Sequence, residues 1–218
     1  MNPILDLIKS AKVIVFDFDG VIKESVAIKT NAFLELFSDF SPDFKNKVLI
    51  HHQKNTGISR YDKISFYFNN FLGEKLTKEK LDYWCAKYSN LTLNKVVQSS
   101  WVSGVFDFLK ETHIEKNNYI ATGTPQKEIE FLVEKTKIRP FFKEVFGSPL
   151  KKEEIIKDIL KLESCKRSDC IMIGDSMNDY LAAKKNKIIF ILRETEENKF
   201  SFTKNDCLRI KDFSKLTS

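Results

Sequence analysis

The sequence predicts an α/β fold: a doubly wound parallel sheet with an all-α module inserted after its first strand. Three observations predict it. Short apolar runs without alternation recur at residues 12–16, 118–121, 144–146, 170–173 and 188–192, and a strand that is hydrophobic on both faces belongs in a parallel sheet covered on each side. Stretches with helical apolar spacing separate these runs, and strand, helix, strand in alternation builds right-handed crossovers. Between residues 22 and 97 that rhythm stops, and amphipathic helical patterns replace the strands. The expected organisation is a discontinuous α/β core, residues 1–21 and 98–218, with a helical cap at 22–97.

Each element has its own warrant. The first strand is Lys12-Val13-Ile14-Val15-Phe16, β-branched and ending in two acids. In the inserted module, Val26, Phe33, Leu36 and Phe37 fall on one helical face. Tyr61, Ile64, Phe68, Phe71 and Leu72 form a second such face, and Leu81, Trp84, Cys85, Tyr88 and Leu91 a third. Gly73 and Asn90 are the expected ends of the second and third helices. The α/β pattern resumes near Trp101–Lys110. Thr124-Pro125 reads as an N-cap with proline at the first helical position, opening a helix that carries Phe131, Leu132 and Val133. Ile155, Ile156, Ile159 and Leu160 give the face of the next helix. Tyr180 to Ala183 lie on a last one, with Asn186 as its expected left-handed cap.

Composition narrows the function. Hydrophobic residues make up 42% and charged residues 30% of the 218, a globular balance rather than a disordered one. The net charge of +6 is spread over lysines interleaved with acids, and no zinc-finger, RNP-like or helix-turn-helix signature accompanies it. Solvated helix faces are expected, not a nucleic-acid surface. The mild excess of positive charge still favours encounter with small anions. Cys85, Cys165, Cys170 and Cys207 form no CxxC pair and are expected to be reduced thiols. With no signal-peptide pattern and no apolar run of membrane-spanning length, a cytoplasmic protein without a membrane partner is expected. No motif bears on oligomeric state. His51 and His52 are adjacent and, on a helix, point apart with no third ligand spaced to join them.

The chemistry concentrates at strand ends, where an open parallel sheet binds ligands. The first strand closes in Asp17-Phe18-Asp19-Gly20. Two carboxylates held together there repel, raising one pKa unless a cation neutralises them. A metal site or a nucleophile with an acid/base partner fits, and so does an acidic surface turn. The run at 118–121 leads into Thr122-Gly123-Thr124, a hydroxyl and a glycine before a helix, suited to phosphate or simply to capping. Gly147-Ser148-Pro149-Leu150-Lys151-Lys152 brings a cation to another strand end. The run at 170–173 leads into Gly174-Asp175-Ser176-Met177-Asn178-Asp179, with carboxylates four residues apart on one helical face. Mg²⁺ prefers such hard oxygens, which makes Asp175 a candidate ligand; Asp179, with Asn178 supporting, either ligates through water or orients a lysine, and acids stabilised by the helix dipole are the plainer reading of the pair.

In this order the four segments resemble the haloacid dehalogenase-like superfamily, whose pattern runs Asp-x-Asp-Gly, Ser/Thr, Lys, Gly-Asp-x-x-x-Asp. The helical insertion is similar to the branch containing phosphoglycolate phosphatase and β-phosphoglucomutase. The resemblance implies a Rossmann-like core and a Mg²⁺-dependent phosphoric monoester hydrolase acting on a small phosphorylated metabolite, a sugar phosphate or a phosphorylated acid. It implies Asp17 as nucleophile and Asp19 as general acid/base, with Thr122, Gly123 and Lys152 on the phosphoryl group. Asp17, the Asp19 carbonyl and Asp175 would bind the metal. Sugar phosphomutase is the alternative chemistry, and a non-catalytic binding module a more distant one. Two departures stand out. Val21-Ile22-Lys23-Glu24-Ser25 places Lys23 in the flap beside the expected site, and the lysine motif lacks the common Lys-Pro pair, so that Lys151 competes with Lys152. Arg60, following Gly57 and the expected N-cap Ser59, either holds the non-phosphate end of a substrate through forked hydrogen bonds or is an exposed first-turn arginine.

Overall fold

The computed structural model describes residues 3–199, 201–202 and 207–216. A short helix α1 (Pro3–Ser10) leads into β1 (Val13–Phe16), and the four helices of the insertion follow: α2 (Val26–Leu36), α3 (Pro42–Lys54), α4 (Arg60–Tyr67) and α5 (Lys78–Gln98). A π-helical turn, Phe68–Leu72, extends α4 and ends at Gly73 in the left-handed conformation. The chain continues through α6 (Val105–Glu115), β2 (Asn117–Pro125), α7 (Gln126–Lys135), β3 (Glu144–Ser148) and α8 (Lys152–Leu162). It closes with β4 (Cys170–Gly174), α9 (Met177–Asn186), β5 (Ile189–Arg193) and β6 (Leu208–Ile210). The six strands form one parallel sheet in the order β3-β2-β1-β4-β5-β6. This is the doubly wound α/β architecture that the unalternating runs predict.

Those runs do not alternate because both faces of β1 are buried. Ile14 and Phe16 enter a cluster with Phe108, Ile129 and Phe213, while Val13 and Val15 enter one with Ile155, Ile159 and Ala183 on the opposite face. Burial of this kind contributes roughly 1.5–3 kcal/mol per large aliphatic or aromatic side chain. The inserted helices pack largely on themselves, around Phe33, Phe37, Phe44, Tyr67, Phe68 and Tyr88. Much of the chain's phenylalanine is spent there, in edge-on and stacked ring pairs.

Several boundaries differ from the sequence reading. Asn90 ends nothing: α5 runs through it because Thr92 and Val96 beyond it are buried and hold the helix against its neighbours. Asn186 is the last helical residue, its amide bonded to the carbonyls of Ala182 and Glu153, and Lys187 takes the left-handed position instead. Thr124 does not cap α7; β2 continues through Pro125, and the threonine hydroxyl is engaged elsewhere. Ser59 does cap α4, accepting from the Tyr61 N–H. Helices α1 and α3 and strand β6 are not among the elements the sequence reading expects, although α1 carries helical apolar spacing at Ile4, Leu7 and Ile8. Among the described residues no helix is long and apolar enough to cross a membrane.

Candidate active site

Register brings the motifs together. Phe16 of β1 lies opposite Ile120 of β2 and Ile173 of β4, and the Asp17 N–H continues the ladder to the Ile173 carbonyl. Asp17, Thr122 and Asp175 therefore leave the sheet at one edge within a residue or two of each other. Lys152, the first residue of α8, reaches the same edge.

Lys152 is the electrostatic centre. Its amine lies 2.7 Å from Asp17 Oδ2 and 2.5 Å from Asp179 Oδ1, with all three side chains almost wholly buried. Burial acts to lower the amine's pKa, but the two carboxylates outweigh it and hold the lysine protonated. Lys151 is exposed. Burial likewise raises Asp17 above the carboxylate range; Lys152 pulls it back, while Asp179 and Asp19 push it up. The Phe18 N–H donates to Asp17 Oδ1 at 2.7 Å.

Asp179 is held by a capping box: the Ser176 N–H and hydroxyl donate to its Oδ2, and its own N–H returns to the Ser176 oxygen. Both its oxygens are committed, so it positions Lys152. Asp175 is different. It is buried, no cation stands within ion-pair distance among the described residues, and its pKa is driven well up by burial and by repulsion from Asp17 and Asp179. One carboxylate oxygen from each of Asp17, Asp175 and Asp179 lies within 4.8 Å of the other two. A buried acid short of positive charge among hard oxygen donors fits Mg²⁺.

Asp19 faces the inserted helices. Its Oδ1 accepts from Ser25 Oγ at 2.6 Å and its Oδ2 from Thr124 Oγ1 at 3.1 Å and from the Lys29 amine. Burial would raise this carboxyl, yet Lys29, Ser25 and Thr124 together bring it below its usual range. Thr122, 1% exposed, and Gly123 line the cavity beneath. A Cβ on Gly123 would lie 2.5 Å from the Gly57 carbonyl, so only glycine lets the inserted loop sit so close. Asn178 donates to that same Gly57 carbonyl at 3.1 Å, which makes it a contact between α9 and the cap loop.

Two placements correct the sequence reading. Lys23 does not line the cavity. Its buried amine bonds the Val97 carbonyl and lies 4.2 Å from the Trp101 ring centre, bracing the two chain crossings between core and insertion. Arg60 borders the cavity but is not an exposed arginine: it is 5% exposed. Its fork is already filled, at 3.0 and 2.6 Å to Glu128 of α7 and 2.6 Å to Ser89 of α5. The sequence reading missed Lys29, Lys63 and Ser25, and it took His52 only together with His51 and Thr124 only as a cap or part of a phosphate loop. Nothing in the spacing of Lys29 or Lys63 marks them, because a lysine on a helix is ordinarily solvated.

Comparison with known proteins is consistent with this geometry. The haloacid dehalogenase-like hydrolase model matches residues 14–192. A 5'-nucleotidase of Pseudomonas aeruginosa is 33% identical over 78 residues, 34% of this chain and 35% of that protein, so the match spans about a third of the relative's length. β-Phosphoglucomutase from Clostridium difficile superposes with a TM-score of 0.74 at 16% identity, covering 95% of this chain and 93% of that one. A magnesium-bound hydrolase of the same class from Bacillus subtilis gives 0.68 at 17% identity, covering 94% and 96%.

Proposed function

Since the chain belongs to the haloacid dehalogenase-like hydrolase family, we propose that it is a Mg²⁺-dependent phosphatase of small phosphate monoesters, working through an aspartyl-phosphate on Asp17. The observation that carries this reading is the buried Lys152 bridge between Asp17 and Asp179, with Asp175 short of positive charge beside it. A carboxylate held against an ammonium at a strand end is poised to attack, and the same cation offsets charge on the phosphoryl oxygens.

In the first step an Asp17 oxygen attacks phosphorus in line with the leaving oxygen. The P–O bond to the alcohol breaks, and that oxygen takes a proton from the Asp19 and Lys29 pair. In the second step water gives a proton to Asp19 and attacks the same phosphorus, releasing phosphate and restoring the Asp17 carboxylate. Thr122 and the backbone about Gly123 would orient the phosphoryl group. Bound Mg²⁺, held by Asp17, Asp175 and the Asp19 carbonyl, would supply further neutralisation of phosphoryl charge. A protein of similar fold described as bound to magnesium supports a metal at this site.

The test is release of inorganic phosphate from a panel of small sugar phosphates and phosphorylated acids, with Mg²⁺ and after chelation. Mass spectrometry of acid-quenched reactions should find a phosphoryl group on Asp17. Full turnover after exhaustive chelation, or a phosphoryl adduct on another residue, would overturn the mechanism.

A further inference from the structure

Three cations, Lys29, Arg60 and Lys63, reach the cavity above Asp17 from the inserted helices. Two are answered: Arg60 by Glu128 and Lys29 by Asp19. Lys63 is 3% exposed, and among the described residues its amine forms no ion pair: it meets His52 Nδ1 at 3.1 Å and the Phe33 ring at 5.8 Å, with Asp175 and Asp19 acting on it only from beyond ion-pair distance. A buried ammonium without a counterion is unfavourable and persists where something else completes it.

The histidine cannot be that something, and its hydrogen bonds show why. The Thr30 hydroxyl donates to the Val26 carbonyl, so its oxygen is free to accept from His52 Nε2–H at 3.1 Å. His52 Nδ1 then holds a lone pair, which accepts one Lys63 N–H. Burial, with Lys63 and Lys29 nearby, lowers His52 to about 2, which keeps it neutral. One of the three Lys63 donors is used and no negative charge is supplied. The remaining donors belong to a side chain that lines the cavity. Burial has also lowered the Lys63 amine to about 7, a group that regains its proton when an anion arrives.

We propose that the non-phosphoryl end of the substrate carries a second anionic group, a carboxylate on a short chain, that pairs with Lys63. The cavity is about 60 Å³, the space of a handful of waters, which suits a short acid. The proposal rests on reading the Asp17 edge as the phosphoryl site, so its test is made independent of turnover.

Phosphonoacetate and ethylphosphonate differ in that one ends in a carboxylate and the other in a methyl group. Titrated calorimetrically into the full chain with Mg²⁺ present, phosphonoacetate should bind at least about thirtyfold more tightly, the scale of one hydrogen bond to a charged group. In Lys63→Met that preference should fall to within about threefold, with ethylphosphonate affinity little changed, and Lys63→Arg should restore part of it. Equal affinities for the wild-type chain overturn the proposal without any variant. A preference retained in Lys63→Met, or a parallel loss for both phosphonates that puts the amine on the phosphoryl group, overturns it too. Selective phosphonoacetate binding with no hydrolysis of any ester would leave this inference standing and remove the phosphatase reading alone.

Discussion

Replacing Arg60 with methionine should destabilise the protein and weaken catalysis on every substrate alike, because its guanidinium is bonded to protein rather than poised for ligand. The magnitude follows from the surroundings. The guanidinium makes two bonds to Glu128 and one to Ser89, and its Cζ lies 4.8 Å from the Tyr88 ring centre. Removing it strands a carboxylate whose side chain is 19% exposed. Breaking a fully buried pair costs about 3–5 kcal/mol; partial access to water and the remaining Ser89 donor reduce this to about 2–3 kcal/mol. For a chain of this size that is a fall in Tm of roughly 5–10 °C. Glu128→Leu alone leaves the arginine uncompensated and should cost a similar amount. The double variant should lose less than the sum, with a coupling of about 2 kcal/mol. Urea unfolding followed through Trp84, in the inserted helices, and Trp101, at their junction with the core, measures all four proteins. Coupling below about 0.5 kcal/mol would refute the claim that this pair ties α4 to α7. A kcat/KM loss confined to substrates bearing a second acid would refute the claim that Arg60 acts through Glu128.

Three further outcomes are expected. Asp17→Asn should lower phosphate release at least about a thousandfold while retaining the native circular dichroism spectrum, since Lys152 keeps Asp179 as partner; near-normal turnover would contradict the nucleophile assignment. Mg²⁺ should restore chelated enzyme and Ca²⁺ should not, because its longer and looser coordination misplaces the carboxylates; equal rescue by both would refute the Asp17 and Asp175 metal set. Lys63 should make stability depend on pH. Its pKa is lowered from 10.5 to about 7, so the folded state binds fewer protons than the unfolded state between those values, and stability rises with pH across that window. Lys63→Met should therefore be more stable than the wild-type chain by most at and below about pH 7. Denaturation midpoints that fail to converge toward pH 10 would show that the amine is not buried unpaired.

Sequence alone determined the sheet, the helical insertion and which side chains gather at the strand ends. These depend on local pattern: Val13 to Phe16 advertise burial on both faces without reference to any distant residue, and Asp17, Thr122, Lys152 and Asp175 each sit where such a run ends. Once the strands are parallel neighbours in register, their ends must meet. What only the tertiary structure decided is how side chains on separate elements pair. Nothing local to Arg60 announces Glu128 and Ser89, and nothing near Lys23 announces Val97 and Trp101, because each partner is supplied by packing across long chain separations. Lys29 and Lys63 were unread for the same reason. On a helix a lysine is ordinarily solvated, and only the seating of the inserted helices over the sheet edge turns one toward Asp19 and leaves the other buried, with no ion pair among the described residues.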